Sequence, residues 1–435
     1  MTALAEQAHN KQGARLAAHP LVVLEGIILL LAAPWLLFPD IAPVATAAAL
    51  AALALVWLLA LALDRERLPR TPFNLAFALW GLALGVGILV SADPAETLPK
   101  ATGALLGLAA WRYTVVAVTN RRGVAVAVGV LLLVCLAFSL TGLLSLRDLP
   151  KIPILTAANP FRNLALPGLD RLTTHPNQLA ALITLFLPLL VSLVIAPRSG
   201  WRWPRVGLAV VGLLVVGILA LTQSRGGWLA AAAGLLALLA LWAAVLPPSR
   251  ARRALALAVL AVVLVGVAGV LWIGPRTLWE LWVSPPEATA LGTLRTLGVR
   301  RELWPWAVTA IGDFPFTGVG LGAFRQVVFR LYPLPPWPSY DIGHAHNIFL
   351  QTALDTGLPG LVVYVAILFV AAAVGWRVAR RDRGFRPVSL GLLAGLVGLH
   401  VFGLADALVI GAKPALVFWL ALGVLASMNK EEMES

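Results

Sequence analysis

Long apolar runs constrain this chain more than any other feature. Runs of about 18 residues or more, the length that crosses the roughly 30 Å hydrocarbon core of a membrane, recur along all 435 residues. Because backbone groups in lipid must find their hydrogen-bond partners within the same segment, these runs must be helices. The chain is 60% hydrophobic and only 12% charged, whereas soluble globular proteins carry about 25% charged residues. The sequence therefore predicts an all-α polytopic membrane protein, with a single integral domain over residues 1–435.

Turn signals, mostly proline, divide the chain into about twelve predicted transmembrane helices. Their approximate ranges are 21–39, 41–63, 73–91, 98–119, 123–145, 174–196, 205–222, 227–246, 253–273, 358–379, 388–408 and 412–428. No polar low-complexity linker indicates a separate soluble domain.

Lysine and arginine set the orientation of these helices, because cytoplasmic loops carry an excess of both. If the N-terminus is cytoplasmic, the short inside loops all carry arginines, among them Arg121 and Arg250, whereas the outside connections carry almost none. We therefore predict a multi-pass protein with both termini in the cytoplasm. The loop arginines also account for the net charge of +13, so no nucleic-acid partner is expected. The single cysteine, Cys135, lies inside an apolar run, and neither a disulfide nor a thiolate metal site is expected.

Two predicted outside loops are long, approximately 146–173 and 274–357, and the second separates the ninth and tenth spans. This second loop carries six arginines and five tryptophans, and tryptophan favours the membrane–water interface. Long loops in compact proteins usually bind or catalyse. We therefore predict that 274–357 is a large helical periplasmic loop that lies along the membrane surface and carries the chemistry.

The turn at residues 222–227, between two spans, carries Arg225 against the trend for outside turns. Gly226 and Gly227 beside it allow tight backbone geometry and the close approach of a ligand. A simple hairpin turn with an arginine that reaches the membrane surface would look the same. Both interpretations stay open from these residues alone.

Within the outer loop, a helical pattern begins at Arg300 and Arg301 and runs to Asp313. The glycines at positions 318, 320 and 322 follow it and superficially resemble a nucleotide-binding loop. They follow no strand of a βαβ unit, so a Rossmann or P-loop site is excluded.

Two of the six histidines, His344 and His346, lie two residues apart just before a predicted helix. Zinc would need a third ligand, and His175, Asp341 and Asp355 form no recognisable ligand spacing with them. No metal and no cofactor are therefore expected. A histidine that acts as a general base in an arginine-rich site is the favoured interpretation, because its unperturbed pKa lies close to neutral pH.

Two further polar positions stay ambiguous. His175 leads directly into a span, where a helix N-cap and a substrate contact are both compatible with the sequence. Asp406 lies near the outer end of its span, and a carboxylate at this depth is a functional candidate by default. It is equally suited to pair with Lys413 or with an arginine of the outer loop.

Taken together, these segments resemble the bacterial O-antigen ligase and O-antigen polymerase superfamily of membrane glycosyltransferases. The resemblance covers approximately residues 160–425, in the order and topology of the family. It rests on Gln223-Ser224-Arg225-Gly226-Gly227, on Arg300 four residues before Trp304 with Pro315 and Gly318-Val319-Gly320 beyond, and on His344-Ala345-His346-Asn347 followed by Gly357-Leu358-Pro359-Gly360.

The resemblance implies a GT-C-like helical fold whose periplasmic loop caps a cavity open to the outer leaflet of the bacterial inner membrane. It implies an enzyme that takes a glycan from undecaprenyl pyrophosphate and passes it to an acceptor hydroxyl. The acceptor is lipid A–core for an O-antigen ligase, the type expected here, and a second lipid-linked repeat unit for an O-antigen or exopolysaccharide polymerase. The motifs are common to both types, and they specify neither the sugar nor the linkage.

The resemblance also assigns roles to residues of this chain. It implies that Arg225 and Arg300 bind the pyrophosphate, for which the planar fork of arginine is well suited. It implies that His346, next to Asn347, deprotonates the acceptor in a metal-independent, inverting displacement. Arg301 is an alternative to Arg300, because the doubled arginine leaves the alignment ambiguous by one residue. Further site candidates are His344, Asp406 and His175.

A transporter or flippase of an anionic lipid or solute is the alternative outside this family. Transporters place polar residues in broken helices at mid-membrane, often in internal repeats. Here the polar residues cluster in one outer loop and no repeat is evident, which favours the enzyme. The expected partners are therefore an undecaprenyl-pyrophosphate-linked glycan, a lipid or glycan acceptor, and membrane lipid.

Overall fold

The computed structural model describes residues 20–63, 70–146, 152–160, 174–196, 204–284, 295–332, 343–408 and 411–429. Within these ranges the regular structure is helical, as the apolar runs predict, and they contain no strand. Asp341 and most of the predicted outer loop 146–173 lie outside the described residues.

We number the α-helices of the described residues in chain order. They are α1 Pro20–Leu37, α2 Pro43–Leu63, α3 Asn74–Leu89, α4 Pro94–Ala117, α5 Arg121–Gly142, α6 Pro153–Ala157, α7 Pro176–Ile195, α8 Arg205–Leu221, α9 Arg225–Val245, α10 Arg250–Ile273, α11 Pro275–Val283, α12 Arg295–Asp313, α13 Phe324–Leu331, α14 Ile348–Arg381, α15 Arg386–Gly403 and α16 Leu416–Met428. Short 3-10 helices lie at Leu143–Leu146 and Lys413–Ala415.

Each predicted span coincides with one helix, and most boundaries agree within a few residues. Among the described residues, eight helices are long and apolar enough to cross a membrane, namely α1, α2, α5, α7, α9, α10, α14 and α15. Four further helices coincide with predicted spans but are shorter or less apolar, namely α3, α4, α8 and α16. The multi-pass character is therefore confirmed, whereas the number of twelve spans stays a prediction.

One predicted boundary is wrong and another is confirmed, and both matter for the site. The predicted span 388–408 ends as a helix at Gly403, and the chain then turns, which puts Asp406 in the loop that follows α15. The predicted span 358–379 is the second part of α14, which begins at Ile348 and bends at Gly357, where φ is 72° and ψ is 176°. The predicted start of this span, directly after Gly357, is therefore confirmed. The short helical stretch predicted before Gly357 is therefore present and continues through the bend.

Helices α7 and α15 form the centre of the bundle. In each of them 78% of the residues in the main apolar stretch are buried inside the protein, whereas in α10 none of these residues is buried. Small residues let the two central backbones approach closely, as is common in membrane bundles. A Cβ added at Gly395 of α15 would lie only 1.8 Å from the carbonyl oxygen of Leu185 in α7. The start of α7 and the end of α15 lie at the candidate site, so the most buried part of the fold positions it.

Among its described residues, the segment between α10 and α14 forms three helices, α11, α12 and α13, and α12 packs on α14. The amide of Leu321 donates to the carbonyl oxygen of Gly87 in α3 at 2.8 Å, which ties this segment to the bundle. Gly320 has a φ of 102°, and a Cβ there would lie 2.5 Å from the Cα of Ser91. The run of glycines therefore permits backbone contact between two segments, which agrees with its exclusion as a nucleotide loop.

Candidate functional site

The fold brings Asp406 together with both histidines of the outer loop. Oδ1 of Asp406 lies 3.1 Å from Nδ1 of His346 and 3.9 Å from Nε2 of His344. Asn177, in the first turn of α7, donates through Nδ2 to Oδ2 of Asp406 at 2.6 Å. The amide of Ala407 donates to Oδ1 at 2.9 Å. This buried carboxylate is therefore fixed in one orientation by donors from three segments of the chain.

The bond to Asp406 determines which nitrogen of His346 can accept a proton. An ionised carboxylate only accepts hydrogen bonds, so Nδ1 of His346 carries the proton in that bond. In the neutral ring Nε2 is then the basic nitrogen, and no hydrogen bond engages it within the part of the chain that the structure describes. The side chain is 26% exposed. A substrate hydroxyl can therefore reach a histidine that is already oriented as a general base.

His344 is arranged differently. Its Nδ1 accepts a hydrogen bond from the backbone amide of His346 at 3.2 Å, and its Nε2 faces Asp406. Both of its nitrogens are thus directed at protein groups. Burial, and then the charge of the neighbouring His346, lower the pKa of His344 well below its ordinary value. The His344 ring therefore stays neutral near pH 7 and supports His346, whose ring centroid lies 4.3 Å away.

The histidine loop, residues 343–347, is held at Ala345 from two sides. The amide of Ala345 donates to Oε1 of Gln351 at 2.8 Å, and its carbonyl accepts from Nε1 of Trp304 at 3.0 Å. Gln351 in turn donates to Oδ1 of the buried Asp355 at 2.9 Å. His346 has a φ of 49°, a left-handed conformation that non-glycine residues seldom adopt. These contacts therefore fix a loop that would otherwise relax.

Arg300 reaches Asp406 from α12. Its Nη2 lies 3.9 Å from Oδ2 of Asp406, and its Nε donates to the carbonyl of Ala405. Burial alone would raise the pKa of Asp406, but the hydrogen bond from His346 and the positive charge of Arg300 hold this pKa below its usual range. Asp406 is therefore ionised near pH 7, and it can stabilise a positive charge on His346.

Arg301 points away from the histidines. Its Nη1 donates to the carbonyl of Val283 at the end of α11, and its Nη2 lies 3.6 Å from Glu302. The structure thus brings Arg300, and not Arg301, to the histidine loop. Pyrophosphate binding by Arg300 itself stays a prediction.

Arg225 is the first residue of α9 and is half-buried. Ser224 caps this helix, because its Oγ accepts from the amide of Gly227 at 3.3 Å. A Cβ added at Gly226 would lie 3.9 Å from the ring of Phe402, in the last turn of α15. The turn is therefore a capped helix N-terminus, and it lies beside the end of α15, which leads into the loop that carries Asp406.

Helices α7, α9 and α14 are among those that begin at this end of the bundle. A helix N-terminus carries a partial positive charge and amide groups without intrahelical partners. Arg225 occupies the first position of α9, where its charge adds to the positive end of the helix. The combination of arginines and helix N-termini favours a multiply charged anion at this end.

The two ambiguous sequence positions have definite surroundings. Nδ1 of His175 accepts from the amide of Asn177 at 3.3 Å, so His175 is an N-cap of α7. Of the two partners considered for Asp406, the loop arginine is the one observed, at 3.9 Å. Lys413 instead places its Nζ 3.9 Å from the centroid of the Phe38 ring.

The ligating atoms of His344, His346 and Asp406 all lie within 4.8 Å of one another. The fold thus brings Asp406 beside the two histidines as a third group that could hold a metal ion, which the sequence spacing did not reveal. The guanidinium of Arg300 beside the same carboxylate opposes a second cation there. Metal independence stays a prediction, and the geometry makes a direct test of it necessary.

Residues 210–365 match the profile of the family described as O-Antigen ligase. This match supports the O-antigen ligase and polymerase superfamily. The match spans Arg225, Arg300 and both loop histidines, and it indicates glycosyltransferase activity of the ligase or polymerase type in general. No curated protein matches the chain.

Sequence reasoning missed three residues of this candidate site. Asn177 orients Asp406, and Trp304 and Gln351 hold Ala345. Asn177 and Trp304 lie within sequence motifs that also carry predicted site residues. Their position in these motifs could therefore have identified them as site candidates. Gln351 is a buried amide in an apolar helix, and such a group needs a partner, but the sequence does not say which.

Proposed function

We propose that this chain is an O-antigen ligase-type glycosyltransferase, which moves a glycan from undecaprenyl pyrophosphate to an acceptor hydroxyl at the periplasmic face. The observation that carries the proposal is the His346–Asp406 pair beside Arg300. It supplies an oriented base next to a cation that suits a phosphate oxygen. The family match over residues 210–365 supports the same class of reaction.

In the proposed step, Nε2 of His346 takes the proton of the acceptor hydroxyl while the hydroxyl oxygen forms a bond to the anomeric carbon of the donor sugar. The bond from that carbon to the pyrophosphate oxygen breaks, and its electron pair leaves with undecaprenyl pyrophosphate. Attack from the face opposite the leaving group inverts the anomeric configuration. Asp406 stabilises the imidazolium that results, and a positioned base typically contributes about 10²–10⁴-fold to the rate.

Arg225 and Arg300 are proposed to bind the pyrophosphate of the donor. Negative charge grows on the leaving group as its bond to the sugar breaks, so cations fixed at that position stabilise the transition state more than the ground state. The helix N-terminus at Arg225 adds to the same field. A lysine in either position would supply a charge without the bidentate fork.

The positions of the charged groups support an enzyme over a transporter. Asp406, His346 and Arg300 lie in loops or outer helices at one end of the bundle, whereas transporters bind their substrates near mid-membrane. A GT-C-like architecture in the bacterial inner membrane, with the site on the periplasmic side, is part of the same proposal.

Lipid A–core is our first assignment for the acceptor, and a second lipid-linked repeat unit, as in a polymerase, is the alternative. Deletion of the gene followed by analysis of surface polysaccharide separates them. Long chains that are no longer attached to lipid A–core identify a ligase, whereas cores capped with single repeats identify a polymerase.

A paired assay of donor binding and turnover tests the chemistry in purified protein with lipid-linked oligosaccharide. His346→Ala should abolish transfer and still bind the donor, because the arginines remain. His344→Ala should keep part of the activity, because His344 only supports the neighbouring ring. Arg225→Lys, unlike His346→Ala, should weaken donor binding. Normal turnover by His346→Ala would overturn the base assignment.

A further inference from the structure

Five arginines lie within ten residues where α14 ends and α15 begins, and we call them the arginine patch. They are Arg377, Arg380, Arg381, Arg383 and Arg386. Helix α14 begins beside the histidine loop, and α15 leads into the loop that carries Asp406. The arginine patch therefore lies at the opposite ends of both helices, away from the candidate site, and the proposed chemistry gives it no role.

The acid within this segment, Asp382, already has partners. It forms an ion pair with Arg121 at the start of α5, and its Oδ1 accepts from the amides of Gly384 at 2.7 Å and Phe385 at 3.1 Å. Four exposed arginines of the patch form no ion pair with any residue that the structure describes, namely Arg377, Arg380, Arg381 and Arg383. A net positive charge therefore remains at this end of the two helices.

The fold holds part of this charge in place. Arg386 donates from Nε to the carbonyl oxygen of Ala379 at 2.8 Å, across the turn between the two helices. Arg383 lies near enough for its charge to act against that of Arg386. The Cζ of Arg121 lies 4.7 Å from the centre of the Phe385 ring, which joins α5 to the same turn. The turn thus brings like charges together at a fixed place, and an anion that binds there relieves their repulsion.

The position of the patch along α14 indicates a lipid headgroup as the anion. The half-buried Trp376 directly precedes the patch, and tryptophan favours the membrane–water interface. Arg380 follows one turn later, about 6 Å further along the helix axis, where the phosphates of the lipids lie. Residues three or four apart on a helix are neighbours, so Arg377 shares a helix face with Arg380 and Arg381. The planar fork of arginine binds phosphate oxygens bidentately.

We propose that the arginine patch binds an anionic phospholipid whose headgroup carries two phosphates, as that of cardiolipin does. Two phosphates match several unpaired arginines on one helix face and its adjoining turn better than one phosphate does. The bound lipid ties the end of α14 to the start of α15, and through the Arg121–Asp382 pair to α5. General attraction to an anionic membrane predicts instead that all exposed arginines at this end contribute alike. The proposal does not depend on the proposed function.

Thermal unfolding of the purified full-length protein in detergent, titrated with lipid at about 0.15 M salt, tests this site. At that ionic strength exposed charges are screened beyond about 8 Å. Cardiolipin should raise the unfolding temperature, whereas phosphatidylcholine at the same phosphate concentration should not. The double variant Arg380→Gln/Arg381→Gln should weaken cardiolipin binding at least about tenfold. Arg252→Gln/Arg253→Gln is the matched control, because it removes the same number of exposed arginines at the start of α10, and it should bind like wild type.

Unfolding without added lipid shows that each variant is folded, and Arg383→Gln, a single change in the exposed turn, repeats the comparison. The pair Arg380→Lys/Arg381→Lys should restore only part of the affinity, because lysine supplies the charge without the fork. Equal loss of binding in both glutamine pairs means diffuse attraction to anionic lipid and overturns the site. The absence of any cardiolipin effect on the wild-type protein also overturns it. Stabilisation by inorganic pyrophosphate that equals the effect of cardiolipin overturns the assignment to a lipid, because the ligand is then a soluble anion.

Discussion

His346 and Gln223 are the non-glycine residues with positive φ in the described part of the chain, at 49° and 51°. Conformations of this kind cost on the order of 1–3 kcal/mol each and persist only where surrounding contacts fix them. Gln223 is fixed by the amide of Ile152, which donates to its Oε1 at 2.6 Å. His346 is fixed through Ala345. Backbone strain therefore coincides with the two segments that the proposed chemistry uses, the histidine loop and the turn before Arg225.

Replacement of Asp406 by asparagine should separate orientation from charge at His346. The asparagine amide can still contact the His346 ring. However, its NH₂ group can donate to Nδ1, which a carboxylate cannot do, and without a negative charge it cannot stabilise the imidazolium. We expect kcat to fall by about 10²–10⁴-fold with donor binding retained. Asp382→Asn is the matched control, because Asp382 pairs with Arg121 at the other end of α14. A wild-type rate for Asp406→Asn would show that the carboxylate is only structural.

The cluster of His344, His346 and Asp406 calls for a chelator experiment. Because Arg300 lies beside the same carboxylate, we expect the site to act without a metal, and turnover should survive extensive EDTA treatment. The control is the same protein with added Zn²⁺, which should inhibit by engaging Nε2 of His346. Loss of activity with EDTA that a divalent ion restores would reassign these three residues as metal ligands.

At the scale of elements, the first turns of α14 determine where the catalytic loop lies. Asn347 caps this helix by accepting from the amides of Phe349 and Leu350, and its Nδ2 donates to the carbonyl of Leu404 at 3.1 Å. One residue thus joins the start of α14 to the turn that carries Asp406. Gln351, one turn further, fixes the same loop from the inside.

Gln351→Leu should lower activity without any contact to substrate. The leucine leaves the buried amide of Ala345 and the carboxyl of Asp355 without their present partner, at a cost of about 1–3 kcal/mol each. We expect a lower unfolding temperature and a lower kcat, with the donor Kd unchanged. Thr309→Val, which removes a hydrogen bond within α12, should leave kcat unchanged. Wild-type kcat in Gln351→Leu would mean that the loop holds its conformation without this contact.

The helices of this fold were predictable from the sequence, and the pairings at the site were not. Apolar length fixes a helix such as α7 locally, and the histidines could be placed before a helix start because Asn347 is a strong N-cap residue. Asp406 lies 60 residues from His346, and nothing in the local pattern of either segment indicates their contact. That contact depends on how α14 and α15 pack, which the sequence pattern leaves open.

At the scale of the whole molecule, the bundle has two chemically different ends. The end opposite the site holds the Arg121–Asp382 pair, and there Ser192 of α7 donates to the carbonyl of Pro387 at 2.7 Å. Many of the described basic residues gather there, at the starts of α5, α10 and α15 and at the end of α14. The positive-inside rule predicts that this end faces the cytoplasm and that the site, at the other end, faces the periplasm.

Cysteine labelling in intact spheroplasts tests this orientation. Ser284 is exposed at the end of α11, next to Arg301 of α12, and Arg122 is exposed at the start of α5, at the basic end. The native Cys135 is fully buried and can be replaced by alanine to remove background. Because the loop 274–357 is predicted to be periplasmic, Ser284→Cys should react with a membrane-impermeant maleimide before lysis, and Arg122→Cys only after it. The reverse pattern would place the histidine loop in the cytoplasm, where a donor presented at the outer leaflet could not reach it, and the proposed reaction would fail with the topology.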